Sequence, residues 1–464
     1  MTLIKSISGI RGTIGGNTGE NLTPLDIVKF TSAYGEWIKN QSTSENTKIV
    51  VGRDARISGE MCENLVISTL NALGIDVINL GLSTTPTVEV MVPKYKANGG
   101  IILTASHNPK EWNALKLLNA KGEFVSDKDG AKILEIAEEE SFKYADVDHL
   151  GSQQFVTNAI EQHIEAILEI GSVDTNLIKN ANFKVAIDCV NSTGGIAVPM
   201  LLKALGVQQI EELYCEPNGH FPHNPEPLPE NLTEISSLIR SKKCDLGIVV
   251  DPDVDRLALV NEDGSMFGEE YTLVAVSDYI LSKQKGITVS NLSSTIALRN
   301  ITEDHGCQYF SSAVGEVNVV EKMKEQKAVI GGEGNGGIIF PELHYGRDAL
   351  VGIALFLTHL AHKKMKMTEL KAQYPNYHIS KNKIQLTADT NVDAILEQLK
   401  EKYSKEEINT IDGVKIIFGN EWVHLRKSNT EPIIRVYSES ISEERANELA
   451  EMIMNDAYSF TKTI

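Results

Sequence analysis

Short apolar runs that stop at polar, turn-forming clusters recur along this chain, with stretches of helical periodicity between them. Lys48-Ile49-Val50-Val51 and Lys184-Val185-Ala186-Ile187 read as buried strands, each followed by a helical stretch ending at Leu73-Gly74 or Leu205-Gly206. The similarity of these segments is a weak internal repeat. Each unit then offers a second apolar strand running into a polar loop: Ile101 to Leu103 before Ser106, Gly247 to Val250 before Asp251, and Val329-Ile330 before Gly331. This alternation predicts an α/β fold, and ligands in open α/β sheets bind beyond the carboxyl ends of strands. The three loops serve one cleft if the units pack side by side.

The pattern changes from about Ile379 onward. Val414-Lys415-Ile416-Ile417 and Glu421-Trp422-Val423-His424-Leu425 alternate as antiparallel strands do. Ser440-Ile441-Ser442-Glu443 reads as a capping box opening a terminal helix with Leu449, Met452 and Ile453 on one face. A small α+β domain is expected there. Upstream, Glu216 to Pro229 carries five prolines and cannot be the interior of an element, while the turn Asn261-Glu262-Asp263-Gly264 marks a change of domain near Leu259.

Composition narrows the class. A chain of 464 residues suffices for roughly three or four domains, and no apolar run approaches the length of a membrane span. Met1 to Gly12 lacks the apolar centre of a secretion signal, and Cys62, Cys189, Cys215, Cys244 and Cys307 form no C-x-x-C pair. A cytoplasmic protein with reduced thiols is the expectation. The net charge of −19 repels nucleic acid, so an anionic small substrate would need a local basic pocket.

Thr104-Ala105-Ser106-His107-Asn108-Pro109 puts a serine hydroxyl on a strand-end loop, but Thr104 and Asn108 stand where the G-x-S-x-G elbow of hydrolases needs glycine. A serine can instead carry a phosphoryl group, given a cation, phosphate clamps and a proton shuttle. Asp251-Pro252-Asp253-Val254-Asp255 sets three carboxylates at alternate positions after an apolar strand, a donor set suited to Mg²⁺. An EF-hand loop is the competing pattern, with Glu262 at its twelfth position, but Arg256 stands where it requires glycine and a strand precedes it. A solvated acidic turn is the plain alternative.

Gly332-Glu333-Gly334-Asn335-Gly336-Gly337 matches a dinucleotide fingerprint, yet Ile338-Ile339-Phe340-Pro341 reads as another strand where a helix should start. Glu333 and Asn335 on glycine-rich backbone suit sugar hydroxyls better, unless the segment is simply a hairpin turn. The run from Arg426 to Arg435, with Lys427, Ser428, Asn429 and Thr430, has the donors of a phosphate clamp, or else forms an exposed basic turn. Lys116 is a proton-transfer candidate if its pKa is lowered, His107 neighbours the serine, and Arg11 sits in a glycine-flanked turn suited to phosphate. Arg53 and Arg56 flank Asp54 as a structural ion network.

In their order and spacing, these four motifs resemble those of the α-D-phosphohexomutase family, over almost the whole chain. The resemblance implies an α/β protein of four domains, three similar with mixed sheets and a C-terminal α+β domain, heart-shaped around a central cleft. The domains expected are 1–150 with the serine loop, 151–258 with the metal loop, 259–372 with the sugar loop and 373–464 with the phosphate loop. It implies a phosphorylated Ser106, Mg²⁺ held by Asp251, Asp253, Asp255 and Ser106, and Lys116, Arg11 and His107 around the transfer. Arg256, Glu333, Asn335, Arg426, Ser428, Asn429, Thr430 and Arg435 would bind substrate. The implied reaction exchanges hexose 6-phosphate and hexose 1-phosphate through a hexose bisphosphate, with no nucleic-acid or membrane partner.

Departures bear on detail. Pro252 replaces a common glycine in the metal loop, Ala114 another after the serine loop, and Gly337 a histidine found in many bacterial members. The glycine-rich version with Gly346-Arg347-Asp348 resembles an archaeal-type subgroup. Glucosamine phosphate is the leading substrate expectation, with phosphomannomutase or phosphoglucomutase activity as the alternative. A phosphoserine-dependent sugar phosphatase and a non-catalytic sugar-phosphate sensor are more distant ones. Oligomeric state is not legible in these motifs.

Overall fold

The computed structural model describes residues 2–6, 9–42, 46–386, 391–427 and 433–461. They form two compact units, Met1–Thr272 with Asn335–Leu370, and Leu273–Gly334 with Lys371–Ile464.

In the first unit a seven-stranded mixed sheet runs in the order Ile4–Ser6, Gly9–Thr13, Trp112–Leu118, Gly99–Leu103, Lys48–Arg53, Asp76–Leu82, Gln153–Phe155. Its central strands are apolar without a break because both faces are covered. Ile49, Val51, Ile101 and Leu103 enter one core cluster, whereas Val50 and Ile102 enter another on the opposite face. Gly9 lets the second strand close on its neighbour, since a Cβ there would lie 2.2 Å from the Leu115 carbonyl oxygen. A four-stranded sheet follows in the order Leu257–Asn261, Leu246–Val250, Lys184–Asp188, Gln209–Leu213, with only its first pair antiparallel. The expected helices after Lys48–Arg53 and Lys184–Asp188 are Gly59–Ala72 and Gly194–Ala204.

In the second unit Thr288–Asn291 pairs in parallel with Tyr309–Ser312 and Ile330–Glu333. The last of these runs through the glycines to Glu333, so the expected stop before Gly331 falls too early. The five strands His378–Gln385, Ile433–Ser440, Glu421–Lys427, Val414–Phe418 and Glu407–Asn409 form a fully antiparallel sheet, as the alternation predicts. Two expectations for the terminal helix Glu443–Thr461 need correction. Ser440 ends the preceding strand, and the capping oxygen is Ser442 Oγ, which accepts from the Arg445 amide at 3.2 Å. Met452 is exposed, the buried stripe being Ala446, Leu449, Ala450, Ile453 and Ala457. Among the described residues no helix is long and apolar enough to cross a membrane.

Candidate active site

The serine loop leaves the Gly99–Leu103 strand and is shaped by buried polar contacts. Thr104 Oγ1 accepts from the Ser106 amide at 2.9 Å and donates to Asp54 at 2.6 Å, and Ser106 adopts φ 50°. Fully buried Arg56 pairs with Asp54 at 3.0 Å. Its guanidinium donates to the carbonyls of Ser106, Asn108, Pro109 and Trp112, gathering the loop around one cation. Arg53 pairs with Glu63 at 3.0 Å and donates to the Asp54 carbonyl at 3.3 Å.

The aspartate loop is held as tightly. It links Leu246–Val250 to Leu257–Asn261, and Val254 takes φ 63°. Asp251 Oδ1 accepts from the amides of Asp255 and Arg256 at 3.1 and 3.2 Å. The Pro252 carbonyl accepts from the Ser192 and Thr193 hydroxyls, which stand at the start of the Gly194–Ala204 helix. Thr85 donates to Asp253 Oδ2 at 2.6 Å.

Across this frame Ser106 Oγ donates to Asp251 Oδ2 at 2.8 Å. Asp251, Asp253 and Asp255 are fully buried, and one carboxylate oxygen from each lies within 4.8 Å of the others. Asp253 Oδ1 and Asp255 Oδ1 accept no hydrogen bond. Burial and the two neighbouring carboxylates push the Asp251 pKa well above the usual carboxylate range. Buried oxygens without donors and carboxylates in mutual repulsion fit a hard divalent cation, which these four side chains would hold.

Lys116 lies 2.7 Å from Asp253 and 3.4 Å from Asp255. Burial opposes its charge, but the two carboxylates outweigh burial and raise its pKa. The condition set for a lowered lysine pKa is not met: the two carboxylates favour the ammonium form. The same lysine draws the Asp253 pKa down in spite of burial. Arg347 Nη2 reaches Asp255 at 2.7 Å, and Arg256 Nη1 lies 3.4 Å from Glu226. Burial, Arg256 and Arg347 depress the Arg11 pKa, with Asp253 opposing them, which marks a crowd of cations. His107 Nδ1 is 3.4 Å from Ser106 Oγ, and burial with Arg256 pushes its pKa down to about 2, so the imidazole is neutral.

Sequence reasoning missed Arg347, Thr85 and the anchoring hydroxyls. Arg347 had one legible signal, the glycine at 337: a Cβ there would meet Arg347 Cδ at 2.3 Å. The glycine that stands in the place of a histidine makes room for the stem of this arginine.

Asn335, in the first unit, accepts from the Gly337 amide at 3.2 Å. In the second unit buried Glu333 accepts from Asn291 at 2.7 Å and from the Gly315 amide at 3.2 Å. Arg426 and Arg435 are directly opposed across two strands, so like charges share one sheet face. Ser428, Asn429 and Thr430 lie outside the described residues.

A serine hydroxyl thus stands beside three buried carboxylates, two of them paired with Lys116 or Arg347, at the strand ends of α/β domains. Residues 3–144, 161–264 and 268–377 match the phosphoglucomutase/phosphomannomutase α/β/α domains I, II and III, and residues 381–456 match that family's C-terminal domain. A phosphoglucomutase/phosphomannomutase of Thermococcus kodakarensis is 35% identical over 95% of this chain and 96% of its own. A probable phosphoglucosamine mutase of Methanopyrus kandleri is 32% identical over 95% of each. The solved structure of a phosphoglucomutase/phosphomannomutase family protein from Burkholderia thailandensis superposes with a TM-score of 0.84 at 24% identity, covering 99% of this chain and 98% of that one. The chain belongs to the phosphoglucomutase/phosphomannomutase family, whose members are phosphohexomutases, enzymes of the isomerase class.

Proposed function

We propose that the protein interconverts hexose 6-phosphate and hexose 1-phosphate through phosphorylated Ser106 and a bisphosphorylated sugar, with glucosamine phosphate as its substrate. The observation that carries the reading is the 2.8 Å approach of Ser106 Oγ to the buried carboxylate group. The glucosamine assignment rests on the glycine-rich sugar loop and on the Methanopyrus relative's name. The Thermococcus relative's name makes glucose and mannose phosphates the comparison substrates.

In this reading a sugar hydroxyl attacks the phosphorus of phosphorylated Ser106 while the P–Oγ bond breaks and its electrons stay on Oγ. The Lys116 ammonium gives a proton to Oγ and takes one from the attacking hydroxyl. After the bisphosphate turns, Ser106 Oγ attacks its other phosphorus, the phosphoryl group returns to serine, and the proton returns to the sugar oxygen. Bound Mg²⁺, held by Asp251, Asp253, Asp255 and the Ser106 phosphoryl, would neutralise charge on the group in transfer. Arg11 and Arg256 face the phosphate, and neutral His107 hydrogen-bonds rather than titrates. Glu333 and Asn335 take sugar hydroxyls, while Arg426, Ser428, Asn429, Thr430 and Arg435 grip the phosphate that is not reacting.

Intact-protein mass spectrometry tests the reaction: a phosphate on Ser106 should pass to hexose phosphate, and its release only as inorganic phosphate would refute the mutase. Turnover of glucosamine, mannose and glucose 6-phosphates tests the substrate. Equal or higher kcat/KM for the neutral sugars would overturn the glucosamine assignment and leave the mutase standing.

A further inference from the structure

The first unit buries a second cluster of ligand-type side chains, separate from the aspartate loop. His163, on the helix Ala159–Leu168, meets His344 and Asp348, which follow the strand Gly337–Ile339, and one donor atom from each lies within 4.8 Å of the others. His163 Nε2 is 3.0 Å and His344 Nε2 3.3 Å from the same oxygen, Asp348 Oδ2. The side chains of His163 and Asp348 are wholly buried, and that of His344 is 9% exposed. Phosphoryl transfer uses none of them.

The far atom of each side chain faces a group that orients it. His163 Nδ1 lies 3.0 Å from Thr87 Oγ1, and Asp348 Oδ1 caps a helix by accepting from the amides of Leu350 and Val351. His344 Nδ1 faces Glu89 Oε2 at 3.4 Å. This is the outer-shell pattern of metal-binding histidines, in which a hydroxyl or carboxylate at one ring nitrogen aims the lone pair of the other at the ion. His344 Nδ1 makes no hydrogen bond, and a proton there, directed at Glu89, leaves Nε2 to coordinate.

We propose that His163, His344 and Asp348 bind a divalent transition-metal ion of the zinc type. Two imidazoles with one carboxylate suit such borderline ions, whereas Mg²⁺ prefers an all-oxygen set, so the two clusters sort metals by donor chemistry. Thr87 and Glu89 fall within residues 3–144, His163 within 161–264, and His344 and Asp348 within 268–377. The ion's ligands therefore come from two family domains, and Thr87 and Glu89 of a third stand behind the two histidines.

The test is titration of the chelator-stripped full chain with Co²⁺ in excess Mg²⁺, followed by visible absorption. Stoichiometric ligand-field bands should appear, be displaced by Zn²⁺, vanish in His163→Gln and His344→Gln, and persist in Asp253→Asn. Absence of bands in the wild-type chain would mean a hydrogen-bonded cluster without metal, and overturns the proposal whether or not the variants fold. Bands that survive in His344→Gln or vanish in Asp253→Asn also overturn it.

Discussion

Arg347 reaches Asp255 at 2.7 Å across a backbone that has no side chain at residue 337. Gly337 lies in a strand and not in the left-handed region, so substitution tests space rather than backbone freedom. Gly337→Ala should displace the Arg347 stem and lower kcat by at least about tenfold, through loss of the charge-assisted bond to Asp255. Arg347→Ala should produce a similar loss, and the double variant should be little worse than either single one. Additive losses in kcat would show that the glycine serves something other than this arginine.

Lys116 makes a different case, because two carboxylates share its charge. Lys116→Met leaves buried Asp253 and Asp255 under-neutralised, a change of about 3–5 kcal/mol when one partner of a buried pair is removed. Turnover should fall at least about 10²-fold. The melting temperature should also fall, and Mg²⁺ should raise it by more in the variant than in the wild type, since the ion supplies the missing positive charge. Thermal melts with and without Mg²⁺ decide the point: equal shifts in both proteins would mean that Lys116 does not neutralise this group.

Arg56 carries the shape of the serine loop through four backbone carbonyls and one carboxylate. Lysine keeps the charge but cannot reproduce a planar fork reaching several acceptors. Arg56→Lys should therefore lower kcat more than it raises KM, by loosening the placement of Ser106, and slow phosphorylation of Ser106 followed by intact mass. A variant with normal kcat and phosphorylation would remove Arg56 from the positioning role.

Legibility followed the range of the signal. Strand ends before Ser106 and Asp251 were readable because a strand buried on both faces is continuously apolar, as the split of Ile49 and Val51 from Val50 between two clusters makes plain. The C-terminal sheet was readable through its alternation. Arg347 was not, because its partner Asp255 is 92 residues away and no local pattern encodes that distance. Lys116 was legible as a residue, but its charge state was not. Its pKa is set by carboxylates more than 130 residues downstream, which the sequence does not place beside it. Met452 was misjudged because an apolar residue at helical spacing need not face the core, where Ala446, Ala450 and Ala457 complete the buried stripe.

His223 yields a pH prediction away from the serine. Its Nε2 lies 3.1 Å from buried Asp188, and Nδ1 lies 2.8 Å from the Asn224 carbonyl. Burial lowers its pKa, but Asp188 and the carbonyl outweigh burial, helped by Glu234, and the net shift is upward. The Tyr214 ring packs edge-on at 5.8 Å and brings no competing cation. A histidine whose folded pKa is raised contributes stability that is fully present below its unfolded value of about 6.5 and is lost as pH rises through the folded value. The melting temperature of His223→Gln should therefore trail the wild type by more at about pH 5.5 than at about pH 8.5. A gap that does not change between those two pH values would show that the imidazolium–Asp188 pair adds nothing to the folded state.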